Sequence, residues 1–312
     1  MEFKSGFKLS LISLCVLAPG LVFAKTCSPC SFNGWSVGVG LGATTFMTDI
    51  NSNVTMNNPD AVVVPIIDLA PAPVPGQNIM NHSINSDVYR YGIMGALFVG
   101  YGQVYTNGTY LGAELGLNFF GARSTSQNGS TTNNLFIASV DEENFVAQDV
   151  TVSQQISTNT RVTRNSIEPF LDLKLGYLIT PTTLGYLRGG VNYNTIKITT
   201  DADYSVVVAP STGFSPIPPP GSISADHSQS RTGFNFRAGA GVEVLITPDV
   251  GLGVDYVYTF YRNVTSSFTG TGTDIACDTL EGCIQKPATL ASSTKATVAD
   301  QEVVAQLIYH FG

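Results

Sequence analysis

The chain ends Val303-Val304-Ala305-Gln306-Leu307-Ile308-Tyr309-His310-Phe311-Gly312. Val303, Ala305, Leu307, Tyr309 and Phe311 fall on one side of a period of two, and Glu302, Gln306 and His310 on the other. Alternation of this kind describes a β-strand with two unlike faces. Taken alone it suits a soluble sandwich as well as a barrel, so the segments upstream decide.

Seven more alternating segments precede it. The first runs from Trp35 to Met47, with Trp35, Val37, Val39, Leu41 and Ala43 against Ser36, Gly38, Gly40 and Gly42. The second, Tyr89 to Val104, carries Tyr91, Ile93, Leu97, Val99 and Tyr101; the third, Tyr110 to Phe120, sets Leu111, Ala113, Leu115 and Leu117 against Gly112, Glu114, Gly116 and Asn118. The fourth has Ile167, Leu171, Leu173, Leu175 and Tyr177 opposed to Glu168, Asp172 and Lys174, and the fifth Leu187, Gly189, Val191 and Tyr193 opposed to Arg188 and Asn192. Phe234 to Val244 and Leu252 to Phe260 supply the sixth and seventh, with Arg237, Glu243 and Asp255 on their polar sides. Each is about as long as the 9–11 residues of a tilted membrane strand.

The connections alternate in length. Tight turns lie at Thr106-Asn107-Gly108, Thr180-Pro181-Thr182-Thr183 and Thr247-Pro248-Asp249, and Asn-Gly and Pro-Asp are ordinary turn chemistry. The four remaining connections, 49–87, 122–162, 199–232 and 262–296, are long. Short turns at one end and long loops at the other are the pattern of an outer-membrane barrel, with turns in the periplasm and loops outside. The expected architecture is all-β: an eight-stranded antiparallel up-and-down transmembrane β-barrel with short periplasmic turns and four long extracellular loops.

Composition decides which face is outside. One face is Leu, Val, Phe, Tyr and Ala; the other is glycine with charges. Lipid demands the apolar face, and glycine leaves room for side chains inside a narrow barrel. Counted from the short turns, Glu114, Lys174, Arg188, Glu243 and Asp255 lie about four to six residues in, nearly one layer at ~3.3 Å per residue, with Asp172 and Arg237 just above. Buried charges persist when paired, so these seven residues are expected to form a lumen charge network, set against simple hydration of a polar interior. Aromatics gather near both ends of the segments, as two interfacial girdles would require.

Residues 1–24 read as a cleaved signal peptide: Lys4 and Lys8 flank the apolar run Leu9 to Phe23, followed by Val22-Phe23-Ala24. Residues 25–33 would be a short periplasmic segment and 34–312 the barrel domain. The sequence has 15 basic and 23 acidic residues; removing Lys4, Lys8 and Glu2 leaves 13 and 22, a net charge of −9. Nucleic acid is therefore a poor partner. Of the four cysteines after cleavage, a barrel places Cys27 and Cys30 on one side of the membrane and Cys277 and Cys283 on the other, ~25 Å apart across the apolar band. That leaves the local bridge Cys277–Cys283, and Cys27–Cys30 as a second candidate. No cofactor or metal site is expected.

With the run Leu184-Gly185-Tyr186-Leu187-Arg188-Gly189-Gly190-Val191-Asn192-Tyr193, the turn-and-loop alternation and a terminal strand like a β-signal, the chain resembles the small eight-stranded outer-membrane barrels of Gram-negative bacteria, the OmpA-type and opacity-type surface proteins. It departs from them in ending Phe311-Gly312, and no peptidoglycan-binding domain follows the eighth strand. The resemblance implies location in the outer membrane after signal-peptide cleavage, with outer-membrane lipid as surroundings. It also implies handling by the barrel-assembly machinery through Leu307, Tyr309 and Phe311, and function in the loops as adhesin, antigen or structural surface protein meeting host proteins. Apolar and proline-rich stretches such as Val62–Ile67 and Pro216–Pro220 are candidate contacts, while loop charges of −4, −2, −2 and 0 in chain order argue against polyanions. A small or gated channel is the alternative. A lipid A-modifying enzyme is a remote one, because His82-Ser83 and His227-Ser228 lack an orienting acid at recognisable spacing and His310 stands apart.

Overall fold

The computed structural model describes residues 32–58, 78–121, 124–140, 147–209, 221–278 and 282–311, and every regular element among them is a β-strand. In chain order these are β1 (Gly34–Asn58), β2 (Asn78–Val104), β3 (Thr109–Phe120), β4 (Ser124–Val140), β5 (Ala147–Arg164), β6 (Ile167–Thr180), β7 (Thr183–Ala209), β8 (Gly221–Leu245), β9 (Val250–Phe260), β10 (Val264–Asp278) and β11 (Gly282–Phe311). Eight of them close a ring of antiparallel neighbours, β1-β2-β3-β6-β7-β8-β9-β11 and back to β1. Neighbours in the ring follow one another in the chain, so the barrel is up-and-down. Closure pairs Trp35 with Phe311 and Val39 with Leu307, and no sheet edge is left in the ring.

The ring's short turns all lie at the end where the chain enters and leaves it. In the first, Gly108 has φ +84°, a left-handed conformation that glycine adopts without cost, and Asn107 Oδ1 accepts the Thr109 backbone N–H at 3.0 Å. Within the ring the apolar face points outward. Leu41 is 70% exposed and Tyr91 76%, while Glu114 on the opposite face of its strand is 3% exposed and Asp172 0%. A surface of exposed Leu, Val, Ile, Tyr and Phe is what lipid solvates, because there backbone polar groups are already paired in the ladder. Gly190 shows why the inner face is rich in glycine: a Cβ there would lie 2.1 Å from the Leu171 carbonyl oxygen.

Above this belt the structure differs from expectation. The connections expected as loops are largely strand: β1 runs on to Asn58 and β2 starts at Asn78, β4 and β5 form a hairpin within 122–164, β7 and β8 extend to Ala209 and from Gly221, and β10 with the first half of β11 fills 264–298. The physical reason is a reversal of phase. On β1 the outward residues of the belt are Trp35, Val37, Val39 and Leu41, odd positions, whereas above it the apolar residues Phe46, Ile50, Val54 and Met56 occupy even positions and are buried. On β7 the switch falls between Tyr193, exposed, and Ile196, buried; on β11 between Val298, buried, and Leu307, exposed. The backbone continues while the solvent outside changes from lipid to water, so the apolar face moves from outside to inside. A pattern search that follows one face stops where the solvent changes.

The extension so formed has its own apolar interior. Phe46, Ile50, Val162, Ile196, Ile198, Tyr261, Val264, Ala296 and Val298 make one cluster, and Val54, Met56, Ile156, Tyr204, Ile223 and Leu290 belong to a second, farther from the belt. Ladders join β4 to β5, β5 to β7, β7 to β8, β10 to β11 and β11 to β1 and on to β2. Two seams, β2 against β4 and β8 against β10, carry no ladder among the described residues and are bridged by side chains instead. Each lies where a ring strand, β3 or β9, ends and a new strand takes over.

Candidate functional site in the lumen and the extension

Inward-facing side chains of the ring converge on Arg188. On β7 it is flanked by Lys174 of β6 and Gly239 of β8, and its long guanidinium reaches across the lumen. Its Nε donates to Asp172 Oδ2 at 2.9 Å and its Nη2 to Glu114 Oε1 at 2.7 Å; Nη1 bonds Asp255. Glu114 also pairs with Lys174, and Asp255 accepts from Tyr186 and, at 2.8 Å, from Gln306 Nε2. Arg237 Nε lies 3.4 Å from Asp172 Oδ2 and its Nη2 3.4 Å from Glu302 Oε2. Arg237 also covers the Phe170 ring at 4.4 Å, and Lys174 the Tyr186 ring at 4.7 Å. All of these charged side chains are buried. Multiple charge-assisted hydrogen bonds offset the large cost of taking such groups out of water.

The structure thus brings Glu114, Asp172, Lys174, Arg188, Arg237 and Asp255 together and leaves Glu243 apart. Glu243 lies nearer the turns, where its Oε1 is 2.6 Å from His310 Nε2 and the Phe32 ring meets His310 edge-on at 5.7 Å. Asp172 and Arg237 are bonded into the assembly rather than standing above it. A second assembly nearer the extension was not singled out from the sequence. Arg164 Nη1 pairs with Asp300 Oδ2 at 2.5 Å, Thr44 donates to Asp300 Oδ1 at 2.6 Å, and the Arg164 guanidinium lies against the rings of Phe46 and Phe120. Beside it Glu168 accepts from Asn192, Asn194 and Tyr261 at 2.6, 2.6 and 2.8 Å. Arg164 stands on β5, outside the eight segments legible as strands, which is why its partner Asp300 gave no signal. Glu168 and Glu302 were legible as inward acids; their donors were not.

Stacked along the axis, the interior is filled by layers: Phe32, Leu184, Tyr186 and Leu245 by the turns, the Arg188 assembly, Phe98 with Phe170 and Ile308, Met94 with Phe120 and Val304, the Arg164 assembly, then the two apolar clusters of the extension. Eight strands enclose a space just wide enough for such filling.

In the extension the two histidines face inward across the two seams. His82 of β2 is buried with Nδ1 bonded to Thr131 Oγ1 of β4, and His227 of β8 stacks on Phe268 of β10 at 5.8 Å. Burial holds the His82 pKa below its ordinary value. Because successive residues of a strand face opposite ways, Ser83 and Ser228 are directed away from these imidazoles. Backbone register sets Cys277 directly opposite Cys283 in the β10–β11 hairpin. Leu307, Tyr309 and Phe311 lie on the outer face of β11. Residues 1–31, with Cys27, Cys30 and the signal segment, and the stretches 62–67 and 216–220 lie outside the described residues.

A closed ring with a lipid-facing belt and a water-facing extension defines an outer-membrane β-barrel. The sequence matches the family described as outer membrane protein beta-barrel domain over residues 16–276, and the chain belongs to that family. No curated protein sequence matches it. Among solved structures it is similar to the outer membrane protease OmpT from Escherichia coli, at 12% identity over 92% of this chain and 99% of that one with a TM-score of 0.32. It is also similar to Neisserial surface protein A, at 9% identity over 85% and 97% with a TM-score of 0.28, and to the attachment invasion locus protein Ail of Yersinia pestis, at 11% over 86% and 99% with a TM-score of 0.24.

Proposed function

We propose that this is a surface-recognition barrel in which the extracellular β extension meets a protein partner, in the manner of an adhesin or antigen, and the ring anchors it without conducting. The observation that carries this reading is the change of phase along each long strand. It builds a rigid wall above the membrane, with Ser, Thr and Asn outside and an apolar core inside, while two charge assemblies and three apolar layers fill the ring below. A channel has no use for an apolar plug above its pore, whereas a display surface needs a stiff support that loses little conformational entropy on binding. The Cys277–Cys283 bridge, in this reading, fastens the β10–β11 tip.

Cells displaying the full chain are compared with cells displaying a version in which the four extensions are cut back to short turns at the belt, both confirmed as folded barrels by their shifted migration when unboiled. Binding of host-surface protein by the first and not the second is expected. Equal binding by both sinks the reading.

A further inference from the structure

Among the described residues, exposed bases are not spread evenly over this acidic protein. On the outer face Arg161 of β5, Lys197 of β7 and Arg262, just after β9, gather on one side of the barrel. Register makes the first two neighbours on the outer face: Lys197 pairs with Thr163 of β5 and Ser230 of β8, and Arg161 pairs with Thr199, two residues along from Lys197, whereas Arg231, paired with Ile196, stands on the other face. Arg262 is anchored beside β8 through its backbone N–H to Asn235 Oδ1 at 3.3 Å.

Directly beneath, toward the membrane, the same strands expose Tyr193, Phe234, Phe236 and Phe260, with Tyr193 and Phe234 in edge contact at 5.2 Å. Directly above come acids: Asp201 pairs with Asp226, and Asp203 with Ser224. Lys197 is four residues from Tyr193 and four from Asp201, about 13 Å along the strand each way, and its flexible stem can lean toward the interface. The order from the membrane outward is therefore aromatic, basic, acidic.

The opposite side of the barrel, β1 and β2, lacks this order. There the outward Tyr91 and Tyr89 are followed by the facing pair Asp49 and Asp87, with Lys295 beyond them. Burial, together with repulsion from Asp87, raises the Asp49 pKa against the opposing pull of Lys295. Net loop charge, which argues against anionic partners, hides this layering.

We propose that the β5–β7–β8–β9 face binds the phosphate-bearing headgroup of an outer-leaflet lipid, with its acyl chains on the aromatic belt below. Arginine forks donate to phosphate oxygens in pairs and lysine adds a point charge, so two to three phosphate contacts are within reach of one headgroup. The acids above close the site on its aqueous side and exclude a polyanion lying along the extension. Continuity of the bases with a lipid-facing belt favours a membrane lipid over soluble phosphate, which would have no use for Phe234 and Phe260.

The test is native mass spectrometry of the mature protein in non-ionic detergent, titrated with bisphosphorylated lipid A. A one-to-one adduct is expected. Each base near an anionic interface contributes about fivefold, so Arg161→Gln with Lys197→Gln weakens the adduct about twenty-fivefold, while Lys295→Gln leaves it within twofold. Unboiled migration of the double variant establishes that its barrel is closed. The proposal is overturned if the double variant binds as the wild type does, if Lys295→Gln weakens binding as much, or if dephosphorylated lipid A binds equally well. Displacement by inorganic phosphate at the lipid's own concentration also overturns it, since the bases would then serve a soluble anion.

Discussion

Arg188 is the residue on which the lower charge assembly turns. It contacts Glu114, Asp172 and Asp255 at once, whereas Lys174 contacts Glu114, which Arg188 also holds. Removing the one base that, among the described residues, pairs with all three buried carboxylates leaves charge uncompensated, at a cost of about 3–5 kcal/mol. Arg188→Ala is expected to lower the urea midpoint for unfolding in lipid vesicles by that amount and Lys174→Ala by clearly less; equal losses would show that the two bases act alone. His82 gives a pH dependence of definite sign. Its pKa in the closed extension is lowered because burial disfavours the imidazolium, and no acid faces it from β1, β2, β4 or β5 among the described side chains. Stability of the β2–β4 seam is therefore full above about pH 6.5 and declines as pH falls below it. Amide exchange over residues 78–88 and 124–132, corrected for intrinsic rates, should rise from pH 7.5 to 5.0 and stay level in His82→Gln; a rise undiminished in that variant assigns the effect elsewhere.

The strands carry the reversal from lipid-facing to water-facing. Leu41 and Asn53 lie on the outer face of the same strand, twelve residues apart, one in the belt and one in the extension. Leu41→Arg is expected to cost about 2–4 kcal/mol of folding free energy in vesicles, the penalty of a cation near the bilayer centre, and Asn53→Arg about zero. Similar costs at both sites would refute the assignment of the belt. The same reversal explains what the sequence made legible. Trp35 to Ala43 and Val303 to Phe311 could be read as strands because lipid holds one face uniformly apolar. Phe46 to Met56 and Ile196 to Val206 continue those strands with the apolar residues on the other face, diluted by Ser, Thr and Asn, and they read as loop. The inward charges of the belt were legible because only paired charge survives among glycines there. Arg164, Tyr261 and Asp300 were not, because they stand at the border between the two patterns. Glu243 bonds His310 rather than the Arg188 assembly, because depth along a strand does not fix rotation around the barrel.

At the scale of the molecule, a ring filled with paired charge and aromatic side chains supports a taller wall whose interior is apolar, and its outer surface changes from hydrocarbon-facing to hydroxyl- and amide-rich within a few residues. Family membership fixes its place in the outer membrane, and the extension is what that membrane presents to the outside. In the proposed function the ring anchors and the extension acts. Single-channel recording of the refolded protein in a planar bilayer tests it most directly: the filled lumen predicts no steady conductance, unchanged at either polarity. A large, stable conductance that Lys174→Ala with Arg188→Ala alters would make the Arg188 assembly a gate and contradict it.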